Sequence, residues 1–156
     1  MEKDQQNGHK KHVIHSILAH SYLLYFFCFL VGFILDDIFV LQPFDSNFAK
    51  PLGLIWMVLS SLFILWAQKT SRNLKIHNIS ADTFAKGPYK ATRIPTHVGL
   101  TFLLIGFGIF DNLPFVILTT ILSFVITKYT LIKKEEKLLE QKYGEPYAEY
   151  KKNVKS

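Results

Sequence analysis

Apolar residues gather along this chain into four long stretches, each closed by polar or turn-forming residues. The first, Val13–Leu35, would reach about 34 Å as a helix, enough to cross a hydrocarbon core of about 30 Å. The pair Asp36-Asp37 reads as its stop. The second is Pro51–Gln68, with Pro51 suited to the first helical position, where its missing N–H costs nothing. The third runs from Thr96 to Phe110 and the fourth from Pro114 to Ile132. Only Asp111-Asn112-Leu113 separate these two, so they should form an antiparallel hairpin. Periodicity thus predicts an all-α polytopic membrane protein with about four transmembrane helices, the last two forming a hairpin.

Beyond the fourth stretch, Glu135–Tyr143 can carry the helix on past the membrane, and Gly144 is a natural stop. Pro146 suits the start of a last short helix. On it Tyr147, Tyr150 and Val154 share one face, and Lys151, Lys152 and Lys155 suit its C-terminal end and a lipid surface. Within the hairpin, Gly99 and Gly106 share a face with Gly108 nearby, while Thr119, Ser123 and Thr127 form a small polar stripe. Both features suit close helix packing, so a tight hairpin is expected. The stripe alone asks for nothing beyond packing.

Composition agrees with the pattern. Of the 156 residues 49% are apolar, with 14 Phe, and the charged residues sit in a few blocks. The length suggests one domain: a polar arm over residues 1–12, then a single membrane domain over residues 13–156. The formal charge is +6, but the lysines are interleaved with long apolar runs. The expected partners are therefore membrane lipids, with a basic face toward anionic headgroups, and not nucleic acid. The oligomeric state is open. Cys28 is the only cysteine, so no disulfide framework or cysteine metal site can form within one chain. The apolar run near the N-terminus is too long for a cleavable signal, and the last four residues carry no prenylation box.

Charge placement sets an orientation. Lys3, Lys10 and Lys11 precede the first stretch. Lys69, Arg72, Lys75, Lys86, Lys90 and Arg93 lie in the loop 69–95 between the second and third. Eight lysines follow from Lys128 onward, most of them in the tail 133–156. The other side has Lys50 against Asp36, Asp37, Asp45 and Asp111. A multi-pass protein with both termini cytoplasmic is expected. The glycosylation pattern Asn78-Ile79-Ser80 would then face the wrong side for use.

The residues able to do chemistry cluster at that cytoplasmic side. Gly87-Pro88-Tyr89 is a turn signal. Pro95 restrains Ile94 to extended backbone, and Pro95 and Thr96 open a helix whose free N–H groups attract anions. Arg93 can grip a carboxylate or phosphate through two hydrogen bonds, or simply anchor to lipid. The third stretch would be only about 22 Å long, so either the hairpin stops short of one surface or its cytoplasmic end begins below the headgroups. The second option places Arg93–Gly99 at or just inside the interface, where non-helical backbone must be buried or line a wet cavity. His97 is suited to a buried hydrogen bond, a proton carrier or a cofactor contact. Glu135 and Glu136, after Lys133-Lys134, read on their own first as a solvated helix end and only second as half of a site. His9, His12, His15 and His20 lack carboxylate support for a metal site, and none is expected.

The string GPYKATRIPTHVG, the apolar hairpin, and then EEKLLEQKYGEPYAEY resemble the isoprenylcysteine carboxyl methyltransferase and membrane phospholipid methyltransferase families. Their pattern is G-P-Y-x-x-x-R-H-P-x-Y-x-G, a hairpin, E-E-x-x-L, and F/Y-G-x-x-Y-x-x-Y. The likeness covers roughly residues 86–154. It implies an S-adenosyl-L-methionine-dependent methyltransferase acting at the membrane–cytosol interface on a lipid-like, isoprenylcysteine-type or small apolar acceptor that enters from the bilayer. It places Tyr89, Pro95, Thr96, His97, Glu135 and Glu136 at the cofactor, and gives Arg93 and Glu136 the catalytic roles. Two positions depart from the pattern: Ile94 stands where the family has His, and His97 where it has Tyr. A non-enzymatic membrane protein that keeps the fold and a vestigial cofactor or lipid site is the alternative.

Overall fold

In the computed structural model the described residues are 2–72 and 84–154, with side chains described from residue 19 and not for residues 131 and 142. Lys75 and the Asn78-Ile79-Ser80 pattern lie outside them, as does Lys155. Most of the described residues are helical, with no strand among them. Helix α1 is Glu2–Phe39, α2 is Ser46–Arg72, α3 is Pro95–Phe110 and α4 is Pro114–Thr127. A wider helical turn over Lys128–Ile132 joins α4 to α5, Lys133–Tyr143, and α6 is Glu145–Asn153. A single tight turn, Gly87–Lys90, precedes α3.

Among the described residues three stretches are long and apolar enough to cross a membrane: Ala19–Phe39, Ser46–Arg72 and Pro114–Gln141. Helix α3 is the shorter fourth apolar helix. The side chains are arranged for lipid rather than water. Phe26, Phe27, Leu54, Leu59, Leu118 and Leu122 are exposed, whereas Ser21, Ser60, Thr120, Ser123 and Thr127 are buried. In hydrocarbon, apolar residues lose nothing by facing outward, and small polar ones join helices.

Pairing of the helices departs from the expectation of a tight hairpin. Helix α3 packs most extensively on α2, and α4 on α1. The glycines explain this. A Cβ on Gly99 would meet Ile64 of α2, and one on Gly106 would meet Met57 and Trp56 of α2. Among the three glycines of α3, Gly108 alone faces α4, at Ile117. The polar stripe of α4 faces α1, where a Cβ on Gly32 would stand 2.4 Å from Thr119 Oγ1. A shared helical face was visible in the sequence; which neighbour used it was not.

Two boundaries also moved. Pro51 lies inside α2, not at its start. Asp45 begins that helix instead, accepting the N–H of Asn47 on its side chain at 3.0 Å and those of Phe48 and Ala49 on its carbonyl. Nor do Asp36 and Asp37 stop α1, which runs on to Phe39. Asp36 is buried and accepts the N–H of Phe115 at 3.0 Å and of Val116 at 2.9 Å. Those are the second and third residues of α4, so Asp36 caps from another helix an end that lacks its own side-chain cap. Asn112 ties the hairpin turn to the connection between α1 and α2. Its amide accepts from Phe44 N at 3.0 Å and donates to Phe44 O at 2.8 Å.

The C-terminal expectations hold. Gly144, at φ 68°, ends α5, and Tyr147, Tyr150 and Val154 are buried together against Phe84, Ala85, Leu139 and Tyr143. Unlike the lipid-facing role expected of it, Lys151 turns toward α5 and lies 3.2 Å from Glu140 Oε2.

Candidate active site

Where α3 begins and α4 gives way to α5, the bundle opens into a cavity of about 280 Å³. Tyr89, Arg93, Pro95, Thr96, His97, Glu135 and Glu136 all line it. Two sequence segments some forty residues apart are thus brought to one place, because the α3–α4 hairpin returns the chain to its own start.

The floor is charged. Arg93 Nη1 lies 2.8 Å from Glu136 Oε1, and both side chains are 11% exposed. That disposes of two alternatives, an arginine anchored in lipid and a glutamate on a solvated helix end. The contact is close but poorly aligned: Arg93 Nε and Nη1 and Glu136 Oε1 are buried without a well-formed hydrogen bond. The guanidinium therefore keeps hydrogen-bond donor capacity despite the short ion-pair distance. Lys151 Nζ stands 3.8 Å from Glu136 Oε2.

Beside this pair Glu135 has no cationic partner among the described residues. The run Pro114–Gln141 has 28 residues and would be about 42 Å long. Counted from Pro114, an apolar core of about 30 Å would end near Ile132, short of Glu135. Burial, reinforced by the neighbouring Glu136, pushes the Glu135 carboxyl up to about 7. Burial also raises the Tyr147 and Tyr150 phenols, with Arg93 opposing it in both.

The walls are aromatic and apolar. Phe84, Tyr143, Tyr147 and Tyr150 enclose one side, and Ile94, Ile132 and Leu139 complete it. Tyr150 donates its hydroxyl to the carbonyl of Tyr89 at 2.8 Å, fastening α6 to the turn that leads into Arg93. On the membrane side His97 is buried. Its Nε2 shares a 3.0 Å hydrogen bond with Ser21 Oγ, and its ring stacks on Tyr22 at 5.6 Å and 3°.

Several of these residues were not legible as site residues. Ser21 and Tyr22 sit in an apolar run with no motif. Phe84 looks like an ordinary core position, and Tyr143 stands in the resemblance pattern without a site role attached to it. Lys151 resembled one of several surface lysines, though its spacing from Tyr147 could have placed it at the cavity rim. A roomier hollow of about 480 Å³ at the other end of the bundle is lined mainly by Phe44, Phe48, Leu52, Ile105, Ile109 and Ile117. It lacks a comparable charged cluster. No group of three His, Cys, Asp or Glu among the described residues converges for a metal ion; the side chains of His9, His12 and His15 lie outside them.

A helical membrane protein with a charged, aromatic-walled cavity at one end of its bundle is the class these features define. The sequence profile of the phospholipid methyltransferase family matches residues 49–146, well over half of the chain, and the chain belongs to that family. Neither a curated protein nor a solved structure matches it significantly. Family membership makes it a membrane methyltransferase by descent. It also leaves α1, with Ser21, Tyr22 and Asp36, outside the matched segment.

Proposed function

We propose that this protein is an S-adenosyl-L-methionine-dependent methyltransferase working at the cytosolic surface of a membrane on a lipid-like acceptor. The observation that carries the reading is the convergence of Arg93, Glu135 and Glu136 in one aromatic-walled cavity. The excess of Lys and Arg at that end of the chain supports the cytosolic side.

The residues fit the cofactor's chemistry. Arg93 keeps buried donors unsatisfied, which suits a carboxylate. Glu135 is a carboxyl without a cationic partner among the described residues, which suits an ammonium or sulfonium. The Tyr and Phe walls suit a flat base and a cation over a ring face. The volume is near the lower end of the roughly 300–1,000 Å³ usual for ligand pockets. When bound, the cofactor supplies an electrophilic methyl group on a positively charged sulfur. The protein's part is to hold, orient and exclude water. Arg93 and Glu136 fix the polar end, and Tyr89, Pro95 and Thr96 shape the entrance to α3. His97, held by Ser21 and Tyr22, forms the wall nearest the bilayer, from which a lipid-like acceptor would come.

The test is binding and transfer together. Calorimetry on the purified protein should detect S-adenosylmethionine binding that Glu135→Ala/Glu136→Ala abolishes, and labelled methyl should pass to a membrane lipid extract. Absence of binding at millimolar cofactor would remove the reading. One observation favours a second reading, a fold kept without transfer: Ile94 is buried in the cavity wall where the family pattern has His. Under it the native protein transfers no methyl, whereas Ile94→His does.

A further inference from the structure

Glu136 has two cations within reach, and they come from different segments of the chain. Arg93 belongs to the segment before α3 and approaches Oε1 at 2.8 Å. Lys151 belongs to α6 and stands 3.8 Å from Oε2, while its closer partner is Glu140 Oε2 at 3.2 Å. The two carboxylates differ in what they can tolerate. Glu140 is 43% exposed and can be left to water, whereas Glu136 is 11% exposed and cannot be left as a lone buried charge. Lys151, itself 37% exposed, is free to move between them.

Arg93 is not saturated by Glu136. Its Nε and Nη1 are buried without an aligned acceptor, although a guanidinium can bind a carboxylate through two parallel hydrogen bonds. A second carboxylate entering the cavity would satisfy those donors, and it would draw Arg93 from Glu136. Glu136 would then sit unpaired beside Glu135, a strong barrier to the exchange unless another cation arrived.

We propose that Lys151 is that cation: it leaves Glu140 and takes over Glu136 as Arg93 turns to the carboxylate of the bound cofactor. The proposal rests on the S-adenosylmethionine reading of the cavity. It makes Lys151 a positioning residue, which acts on the ligand only through Glu136. It also couples ligand recognition to α6, whose Tyr147 and Tyr150 close the same cavity. No covalent bond is made or broken and no proton moves; the Arg93–Glu136 and Lys151–Glu140 pairs open, the Lys151–Glu136 pair closes, and Arg93 gains the ligand's carboxylate.

The test compares two ligands on the full chain by calorimetry: S-adenosylmethionine and its decarboxylated analogue, which keeps the sulfonium and the amine. Lys151→Gln should weaken S-adenosylmethionine about tenfold and the analogue less than about twofold, and Lys151→Arg should restore most of the loss. The position is partly exposed, so the variants should fold. Unchanged affinity for S-adenosylmethionine in Lys151→Gln would overturn the exchange, as would equal weakening of both ligands. Failure of the unaltered protein to bind either ligand would instead remove the cofactor reading, and the exchange with it.

Discussion

The carboxylate of Asp36, near the end of α1, receives the backbone N–H of Val116 at 2.9 Å, so one transmembrane helix supplies the cap of another. Asp36→Ala leaves the N–H groups of Phe115 and Val116 unsatisfied and should cost about 1–2 kcal/mol. Denaturant unfolding in micelles checks it. Asp36→Asn should retain part of the cap, and Asp37→Ala, at an exposed position, should stay within about 0.5 kcal/mol of the parent.

Gly53 sits where α2 meets the end of α3, and a Cβ there would fall 2.5 Å from Phe110 N and 2.7 Å from Gly106 O. Backbone cannot give way as a side-chain tip can. Gly53→Ala should therefore force α2 and α3 apart and destabilise the protein by about 1–3 kcal/mol. The same measurement on Gly144→Ala separates two causes, because no atom lies near that position. Any cost there comes from its φ of 68° alone.

The hydroxyl of Tyr150 holds the carbonyl of Tyr89 at 2.8 Å. Tyr150→Phe keeps the ring in its cluster and removes that link. It should cost about 1 kcal/mol, and hydrogen exchange should quicken in the Gly87–Lys90 turn while α2 stays protected. Uniform quickening across both would contradict a local fastening.

Glu135 gives a pH dependence with two opposite signs. Its carboxyl is raised from 4.5 to about 7, so between those values the folded protein holds more protons than the unfolded chain. Stability should fall as pH rises through that window. Binding of a cationic ligand should do the reverse and strengthen from pH 6 to pH 8, because the ionised carboxylate attracts it. Glu135→Gln should flatten both profiles. Thermal unfolding and calorimetry across that range read them separately.

How much was legible before the structure follows from the range of the forces involved. The apolar spans, the α3–α4 turn and the shared face of Tyr147, Tyr150 and Val154 are written in local periodicity. So is the pairing of the two motif segments, since a hairpin must bring Arg93 near Glu136. What escaped were partners far along the chain. Asp36 looked like a stop because acidic residues end apolar runs, and its partner lies 80 residues away. Gly99 and Gly106 marked a face without naming α2 as its neighbour. Ser21 and Tyr22, which hold His97 from α1, have no motif at all. Lys151 differs from Lys152 only in the side of a helix it occupies.

The wide turn over Lys128–Ile132 carries one residue more than an ordinary helical turn would need. Each residue advances an α-helix by about 100°, so that surplus sets which side of α5 meets the cavity. Deleting one amino acid there would leave α4 and α5 intact as helices yet swing Glu136 out of line with Arg93. The separation between Pro114 and Gly144 is therefore a phase angle as much as a length: a change of one residue is worse than a change of a whole turn.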